Sequence, residues 1–253
     1  MRCFVLYQSE RLEEILKILN RYHYVTVDYL VEKIRYSPAS IRRDLTLLEK
    51  QGLVKRSYGG VEIKKESYTP FKFRQHSMKT EKNSMAEKAA ELVRDNDTVF
   101  IDGSTSAQYL GHYLLHKKNI TVVTNNMILA SYLSENGIRV YCAGGYVHEN
   151  PGVLAGEITN RTFSSFHADI MFFSSSGFDN GHIYVSNEFF LQHHTIMVEN
   201  SDKRVFICGS DKIGIKKNFI VCNLDKIDYF ISDGILDDNV MLKYNNTKFI
   251  NVK

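Results

Sequence analysis

Residues 37–60 read SPASIRRDLTLLEKQGLVKRSYGG, and this stretch decides the fold of the first part of the chain. Ser37 and Pro38 are typical of a helix start. A serine side chain can cap free backbone N–H groups, and proline needs no N–H at the first helical position. Gly52 is typical of a helix end. The pattern therefore predicts one helix of about four turns between these residues.

Two shorter helical patterns precede this helix, and a hairpin pattern follows it. Residues 9–22 carry apolar side chains at helical spacing behind Ser9, a predicted N-cap, and residues 26–34 repeat the pattern. Three helices with a tight turn before the third make a helix-turn-helix. Residues 53–64 alternate like two strands around Gly59-Gly60, so this hairpin is interpreted as a wing beside the third helix.

The phase of the third helix predicts which of its side chains face outwards. Ile41, Leu45 and Leu48 share one face and are expected to pack inwards, so the opposite face exposes arginines and small hydroxyl side chains. Arginine can make paired hydrogen bonds to guanine, and hydroxyl groups reach bases or phosphates. The predicted DNA contacts are Ser37, Ser40, Arg42, Arg43 and Thr46 of the helix and Lys55, Arg56 and Tyr58 of the wing.

The distribution of charge favours a polyanionic partner. Residues 1–65 contain 13 basic and 8 acidic side chains, a net charge of +5, whereas the rest of the chain has a net charge of −2. A small basic region on a mildly acidic chain suits double-stranded DNA, which is the predicted partner. A module of the same shape that binds protein is the alternative, and it predicts no steep salt dependence of DNA affinity.

Composition places the chain among globular proteins. Its 253 residues are 43% hydrophobic and contain no run of eighteen apolar residues, so no membrane partner is expected. The start of the chain lacks a signal-peptide cleavage pattern. The four cysteines form no C-x-x-C pair and are expected to be buried, reduced thiols in a cytoplasmic protein. No pattern of metal ligands or of a cofactor site is apparent, so we expect neither.

From residue 98 onwards, short apolar runs alternate with helical patterns. The predicted strands are rich in Val, Ile and Phe, as in a parallel sheet covered on both faces. They span 98–101, 120–123, 138–142, 169–173, 204–208 and 228–232, with helices near 105–116, 126–135 and 188–200. The predicted fold class is an α+β winged helix-turn-helix head followed by an α/β Rossmann-like domain with a mainly parallel sheet. The predicted boundaries are 1–65 for the head, 66–80 for a linker and 81–253 for the second domain.

Polar or glycine-rich loops follow four of these strands. The loop after the first reads DGSTSAQYL, residues 102–110, and a strand that ends in Gly, Ser and Thr before a helix is a common way to hold phosphate. The other loops are 124–126, 144–145 and 174–177. Since ligands bind beyond the carboxyl ends of parallel strands, we expect the loops to converge on one crevice.

Several stretches match the pattern of one protein family in order. In the first part the matching residues are Ser40, Ile41, Arg42, Arg43, Asp44, Leu45, Leu48, Gly52, Leu53, Arg56, Gly59 and Gly60. In the second part they are TVFIDGSTSAQYL (98–110), TVVTNNMILA (121–130), AGGYVHENPGVLAG (143–156) and VSNEFF (185–190). With these residues the chain resembles the DeoR family of bacterial transcription regulators, whose sensor domain is similar to ribose-5-phosphate isomerase.

The resemblance implies a repressor of carbohydrate-metabolism genes that senses a small phosphorylated sugar or a related metabolite. Residues 103–106 would hold phosphate, and Asp102 would accept hydrogen bonds from sugar hydroxyls or orient the loop. The implied effector-binding residues are Asp102, Gly103, Ser104, Thr105, Ser106, Asn125, Gly145, Asn187 and Lys212. A homo-oligomer, either a dimer or a tetramer, is expected, because palindromic half-sites need at least two heads.

The chain departs from the family pattern at four polar positions. Ser176 and Gly209 stand where the family has acids, Asp211 stands where it has serine, and His194 lies near a family lysine. The phosphate-type loop is retained while these other positions differ. This predicts that the site still recognises the phosphate end of the ligand and that the other end of the ligand is different. A site that has lost effector binding is one alternative.

A sugar-phosphate isomerase with an extra domain is the other alternative. Its general base must lie within hydrogen-bond reach of the substrate carbon, and Glu188 and Asp211 are nearby acids without a supported role. The adjacent His193 and His194 point about 100° apart on a helix, which predicts a surface pair. We therefore expect no catalytic residue and a protein that is not an enzyme.

Overall fold

The computed structural model describes residues 8–57, 59–64, 71–149 and 152–252. The chain divides into two compact units, Met1–Ser77 and Met78–Lys253, here called the head and the body. No helix within those described ranges is both long enough and apolar enough to cross a lipid bilayer.

The head combines helices with a small antiparallel sheet. Its elements are α1 (Gln8–Tyr22), β1 (Tyr24–Thr26), α2 (Val27–Ile34), α3 (Pro38–Lys50), β2 (Val54–Ser57), β3 (Gly60–Ile63) and α4 (Phe71–His76). The strand order is β1-β3-β2. The predicted inward face of α3 is confirmed, because Ile41, Leu45 and Leu48 are fully buried in a core that all of α1, α2 and α3 share. This is the predicted winged helix-turn-helix.

Side-chain caps fix the starts of α2 and α3. Thr26 Oγ1 accepts a hydrogen bond from the Tyr29 N–H at 3.2 Å, and Ser37 Oγ accepts one from the Ser40 N–H at 3.2 Å. Each cap satisfies a backbone donor that the first helical turn leaves free. The caps therefore set where α3 begins, and so which of its side chains face outwards.

The head differs from the sequence prediction in four details. The described part of α1 begins at Gln8, so Ser9 lies within the helix and not at the position before it. Strand β1 was not predicted, because three residues are too few to show a period of two. Gly60 pairs with Ser57 inside the sheet, so it belongs to β3 and not to the turn as expected. The segment 66–80, predicted as a linker, contains α4.

The body is built around one large parallel sheet. Its elements are α5 (Lys79–Ala90), β4 (Thr98–Ile101), α6 (Leu110–Leu114), β5 (Thr121–Thr124), α7 (Met127–Glu135), β6 (Arg139–Cys142), β7 (Tyr146–Glu149), β8 (Val153–Ala155), α8 (Glu157–Ser164), β9 (Ala168–Phe173), β10 (Gly177–Asp179), β11 (His182–Val185), α9 (Glu188–Glu199), β12 (Ser201–Cys208), β13 (Phe219–Asn223), β14 (Tyr229–Ser232), α10 (Asp238–Lys243) and β15 (Lys248–Asn251). Seven strands form the main sheet in the order β15-β14-β12-β9-β4-β5-β6. Every neighbouring pair in it is parallel.

Both faces of this sheet are buried, as the continuous apolar runs predicted. In β4, Val99 and Ile101 enter the core on one face, while Phe100 between them enters the core on the other. Met171 and Phe172 of β9 divide in the same way. Because successive side chains in a strand point to opposite faces, an apolar run without polar alternation requires cover on both sides. The predicted Rossmann-like domain with a parallel sheet is confirmed.

Smaller elements around the main sheet were not predicted. Strands β10, β11 and β13 form a separate antiparallel sheet, and β7 and β8 form a hairpin. The predicted helix at 105–116 is a 3-10 turn at Ala107–Tyr109 followed by the short α6. Strand β6 lies at the edge of the main sheet, so Cys142 is exposed and not buried as expected, whereas Cys208 and Cys222 are buried.

Candidate functional site

The structure places the predicted DNA-contacting side chains on one exposed face of α3 and on β2. Ser37, Arg42, Arg43, Thr46, Lys55 and Arg56 are exposed, and Ser40 is half-buried. Tyr58 lies outside the described residues. The two adjacent arginines project from a helix whose opposite side is fully buried, so the face available to a partner is basic.

Asp44 follows the two arginines directly and has a different role. Its side chain is fully buried and forms an ion pair with the Arg11 guanidinium of α1, which is only 12% exposed. Arg11 Nη2 donates to Asp44 Oδ1 at 3.1 Å, and its guanidinium lies 4.6 Å from the centre of the Tyr36 ring. The hydrogen bond to Asp44 raises the pKa of Arg11 above its usual value. Asp44 therefore fixes α3 against α1, and the arginine pair before it stays exposed.

The wing is tied to α3 by two hydrogen bonds from Arg56. Arg56 Nη1 donates to Thr46 Oγ1 at 2.9 Å, and the Arg56 backbone N–H donates to Glu49 Oε1 at 3.0 Å. The Thr46 hydroxyl in turn donates to the Arg42 carbonyl at 2.8 Å. Thr46 and Arg56 thus hold the wing against α3 in this conformation.

In the body, the carboxyl ends of β12, β9, β4 and β5 lie side by side, because these strands are neighbours in the sheet. The loop that begins at Asp102 follows β4, Asn125 follows β5, Ser174 follows β9 and Lys212 lies just after β12. Lys212 Nζ donates to Ser174 Oγ at 2.8 Å, which joins two of these loops. The structure therefore brings these residues to one edge of the sheet, as expected.

Asp102 connects three elements at this edge. Its Oδ1 accepts from the Ser104 N–H at 3.1 Å, and its Oδ2 accepts from the Ser174 N–H at 3.3 Å. His194 Nε2 of α9 lies 3.0 Å from the same Oδ2, and both side chains are less than 5% exposed. A carboxylate is only an acceptor, so His194 Nε2 carries the proton. Both oxygens of Asp102 are engaged within the protein.

The prediction that His193 and His194 form a surface pair is wrong, because both are buried. Helix α9 contacts α8, the main sheet and the smaller sheet, so adjacent faces of the helix are covered. Burial, together with the neighbouring His194, holds the pKa of His193 well below its usual value, and His193 is therefore neutral. The sequence shows the rotation of about 100° between adjacent side chains of a helix, but it does not show how many elements pack around that helix.

The loop after β4 holds hydroxyl groups against a lysine that was not predicted. Lys82 of α5 is buried and its Nζ donates to Thr105 Oγ1 at 3.2 Å. Ser104 Oγ accepts from the Ala107 N–H at 3.1 Å. Ser106 Oγ is buried and lacks a hydrogen-bond partner among the described residues. The loop is thus hydrogen-bonded to a buried cation and contains a buried hydroxyl group that no described residue satisfies.

Two glycines are required where the β7–β8 hairpin crosses these loops. A Cβ on Gly103 would lie 2.7 Å from Val153 Cγ1 of β8, so only glycine permits this approach. Gly145 has φ +131° and a Cβ there would collide with the Ala155 carbonyl oxygen. Asn125 Nδ2 donates to the Leu154 carbonyl at 2.8 Å, while Asn125 Oδ1 is buried without a partner in the part of the chain that the structure describes. The hairpin therefore packs directly on the loops after β4 and β5.

Asn187 lies at the start of α9 and caps it. Its Oδ1 accepts from the Phe190 N–H at 3.1 Å, and its Nδ2 is 3.3 Å from His148 Nε2 of β7. Asn187 and Gly145 are thus joined to the hairpin and, through it, to the loop cluster. Glu188 and Asp211, the acids considered for an isomerase, are both exposed.

A separate groove lies at the opposite edge of the sheet. It has a volume of about 490 Å³ and is lined by residues just before and at the start of β5 and β6, including Lys117, Asn119 and Arg139. It contains none of the predicted effector residues. Because ligands of parallel sheets bind at the carboxyl ends of the strands, the loop cluster is the better candidate site.

Comparison with known proteins covers nearly the whole chain. Residues 11–67 match the DeoR-like helix-turn-helix domain, and residues 77–234 match the DeoR C terminal sensor domain. The chain is 33% identical over 234 residues to the uncharacterized HTH-type transcriptional regulator YulB of Bacillus subtilis, covering 90% of each. It is 30% identical over 229 residues to the glycerol-3-phosphate regulon repressor of Escherichia coli, covering 89% of this chain and 91% of that one. Ribose 5-phosphate isomerase A from Neisseria gonorrhoeae aligns over 53% of each chain with a TM-score of 0.39 and 17% identity.

Proposed function

The chain belongs to the DeoR family of transcriptional regulators, and from this we propose that it is a repressor of carbohydrate-metabolism genes whose operator affinity is set by a small phosphorylated metabolite. The single observation that carries the DNA-binding role is the exposed pair Arg42 and Arg43 on a helix whose other face is fully buried. Its place of action is the cytoplasm, where the operator is found.

On the DNA side, α3 enters the major groove and the wing lies beside it. Arg42 and Arg43 contact base edges, and Ser37 and Ser40 lie at the helix N-terminus, where a DNA phosphate is favoured. Lys55 and Arg56 reach the backbone from the wing, and Thr46 acts by holding Arg56. A dimer or tetramer presents two heads to a palindromic operator.

On the effector side, the loop from Gly103 to Ser106 holds the phosphate group. Lys82 and Lys212 lie on two sides of the loop cluster and supply positive charge, and the unpartnered Ser106 hydroxyl supplies a further donor. The phosphate in the name of the related glycerol-3-phosphate regulon repressor is consistent with this assignment. Asp102 orients the loop, because its buried side chain lies within hydrogen-bond distance of Ser104, Ser174 and His194.

The effector is bound and not converted. Glu188 and Asp211 are exposed, and Asp102 lies within hydrogen-bond distance of Ser104, Ser174 and His194. None of these three acids is therefore positioned as a general base that faces the loop. Ligand binding shifts the balance between a state that fits the operator and one that does not, and the shift equals the difference in effector affinity between the two states.

The DNA-binding role is tested by the salt dependence of affinity for a duplex selected from a random library by the wild-type protein. We expect affinity to fall steeply as salt rises. Arg42→Ala and Arg43→Ala should each weaken binding by about 1–3 kcal/mol and relax sequence preference. Lys17→Ala removes the same charge from an exposed position on α1 and is the control. If the duplex does not bind even at low salt, the chain is not a DNA-binding regulator.

The effector role is tested by thermal protection of the full chain with inorganic phosphate and a panel of sugar phosphates. Ligands that bind the native state raise the melting temperature with concentration. Ser104→Asp places a negative charge in the loop and should abolish protection, whereas Ser134→Asp, at an exposed position on α7, should not. Operator binding without protection by any phosphate compound would leave the repressor role intact and show that the effector site is lost.

A further inference from the structure

We propose that the effector carries a sugar ring, and that one face of this ring packs on an aromatic shelf formed by Tyr146, His148 and Phe189. This inference rests on the proposed function, because it assigns the second half of the same ligand. The phosphate loop would hold one end of the molecule, and the shelf would select the shape of the other.

The three rings of the shelf come from two separate segments and hold one another in place. Tyr146 and His148 lie on β7, and Phe189 lies in the first turn of α9. The Tyr146 and Phe189 centroids are 5.5 Å apart at 79°, and those of His148 and Phe189 are 5.6 Å apart. Edge-to-face contacts of this kind fix ring orientation. Nevertheless Tyr146 remains 45% exposed, so the shelf presents an aromatic surface that the body does not cover.

The shelf is joined to the phosphate loop through β8. Tyr146 pairs with Ala155 across the hairpin, and the preceding residues of β8 reach the loops. Val153 contacts the Gly103 backbone, and the Leu154 carbonyl accepts from Asn125 Nδ2. The shelf is therefore a continuation of the structure that lies on the loops after β4 and β5.

A second connection runs through α9. The His148 ring lies 5.3 Å from Phe190, Phe190 stacks on His194 at 6.4 Å, and His194 is hydrogen-bonded to Asp102. His194 therefore joins the ring contacts of the shelf to Asp102 at the start of the phosphate loop.

Polar groups beside the rings suit the hydroxyls of a sugar. Asn187 Nδ2 is 3.3 Å from His148 Nε2 at the edge of the shelf. Asn125 Oδ1, buried at the loops, has no donor among the described residues. Specific small-molecule sites combine aromatic surface with a few placed polar groups. A sugar ring has an apolar C–H face that suits the aromatic surface and a rim of hydroxyls that suits the polar groups. An open-chain polyol phosphate has no rigid face to stack.

The experiment compares matched ring and open-chain ligands by calorimetric titration of the full chain. The pairs are glucose 6-phosphate with glucitol 6-phosphate and ribose 5-phosphate with ribitol 5-phosphate; inorganic phosphate and AMP complete the set. We expect the ring member of at least one pair to bind more tightly. Tyr146→Ala should weaken that ligand by roughly 2- to 12-fold and leave inorganic phosphate unchanged. Tyr146→Phe should retain binding, because the ring is kept.

Tyr141→Ala is the matched control, since Tyr141 on β6 is exposed to a similar degree, 46%, away from the shelf. Equal binding of both members of every pair, or inorganic phosphate alone binding, would overturn the ring assignment while the phosphate loop stands. Preference for AMP over every sugar phosphate would replace the sugar with a nucleotide and also overturn it. If no phosphate compound binds, the effector part of the proposed function is wrong, and so is the assignment of the shelf as part of a ligand site.

Discussion

Replacement of Asp102 by alanine is expected to destabilise the body strongly, because three donors lose their acceptor at once. The Ser174 N–H and His194 Nε2 are buried, and the Ser104 N–H is partly buried. A buried donor left without a partner costs about 1–3 kcal/mol, so the two fully buried donors alone give an expected loss of unfolding free energy of about 2–6 kcal/mol.

The pair with His194 can be isolated by a double-mutant cycle. His194→Phe keeps a ring in the same space but removes the donor to Asp102. If the two side chains interact as the 3.0 Å contact indicates, the loss of unfolding free energy in the double variant should differ from the sum of the Asp102→Ala and His194→Phe losses. The expected difference is about 0.5–3 kcal/mol. Asp102→Asn, which retains one carbonyl acceptor, should cost less than Asp102→Ala.

The assay is urea unfolding followed by far-ultraviolet circular dichroism, because the chain has no tryptophan for fluorescence. Hydrogen exchange of peptides spanning 98–110 assigns the affected transition to the body. Asp225→Ala, at an exposed acid, is the control and should change stability by no more than about 0.5 kcal/mol. If Asp102→Ala costs no more than this control, the three hydrogen bonds do not hold the loop, and Asp102 is available to a ligand.

Three further predictions concern other buried groups. Arg11→Met should destabilise the head by about 3–5 kcal/mol in the same assay, because Asp44 is left buried without its counter-charge; an unchanged midpoint would contradict this. His193 has a lowered pKa in the folded state, so the unfolded chain binds the extra proton below pH about 6.5 and stability falls as pH falls. His193→Phe should reduce this slope by up to about 1.4 kcal/mol per pH unit, measured by urea unfolding from pH 7 to 5, and an unaltered slope would refute the assignment. Iodoacetamide mapping by mass spectrometry should modify the exposed Cys142 well before Cys208, whose pKa burial raises to about 12; comparable rates would place Cys208 at the surface.

Local patterns predicted the head well because its structure is decided over short distances along the chain. The caps at Thr26 and Ser37 and the apolar face of α3 all follow from residues within one or two turns. The apolar runs of β4 and β9 likewise required a sheet covered on both sides. These features depend on periodicity and on cap chemistry, both of which the sequence displays directly.

Contacts between residues that lie far apart in the sequence could not be predicted from local patterns. His194 lies 92 positions from Asp102, and Lys82 lies 23 positions before Thr105. Nothing in the spacing of either pair indicates that the fold brings them together. The small strands were missed for another reason, since β7, β8 and β10 are short and carry no long apolar run. The phosphate-type loop could be predicted from the sequence. The contacts of Asp102 with Ser104, Ser174 and His194 could not.

The ion pair between Arg11 and Asp44 has a consequence for how such a regulator changes its target. Stability of α3 rests on Asp44 and on its buried leucines and isoleucine, while the residues proposed to contact DNA, such as Arg42 and Arg43, are exposed and contribute little to the core. Substitutions at the exposed positions therefore leave the fold intact. If the exposed arginines read the operator as proposed, operator preference and stability depend on opposite faces of one helix, so substitutions can change the first without loss of the second.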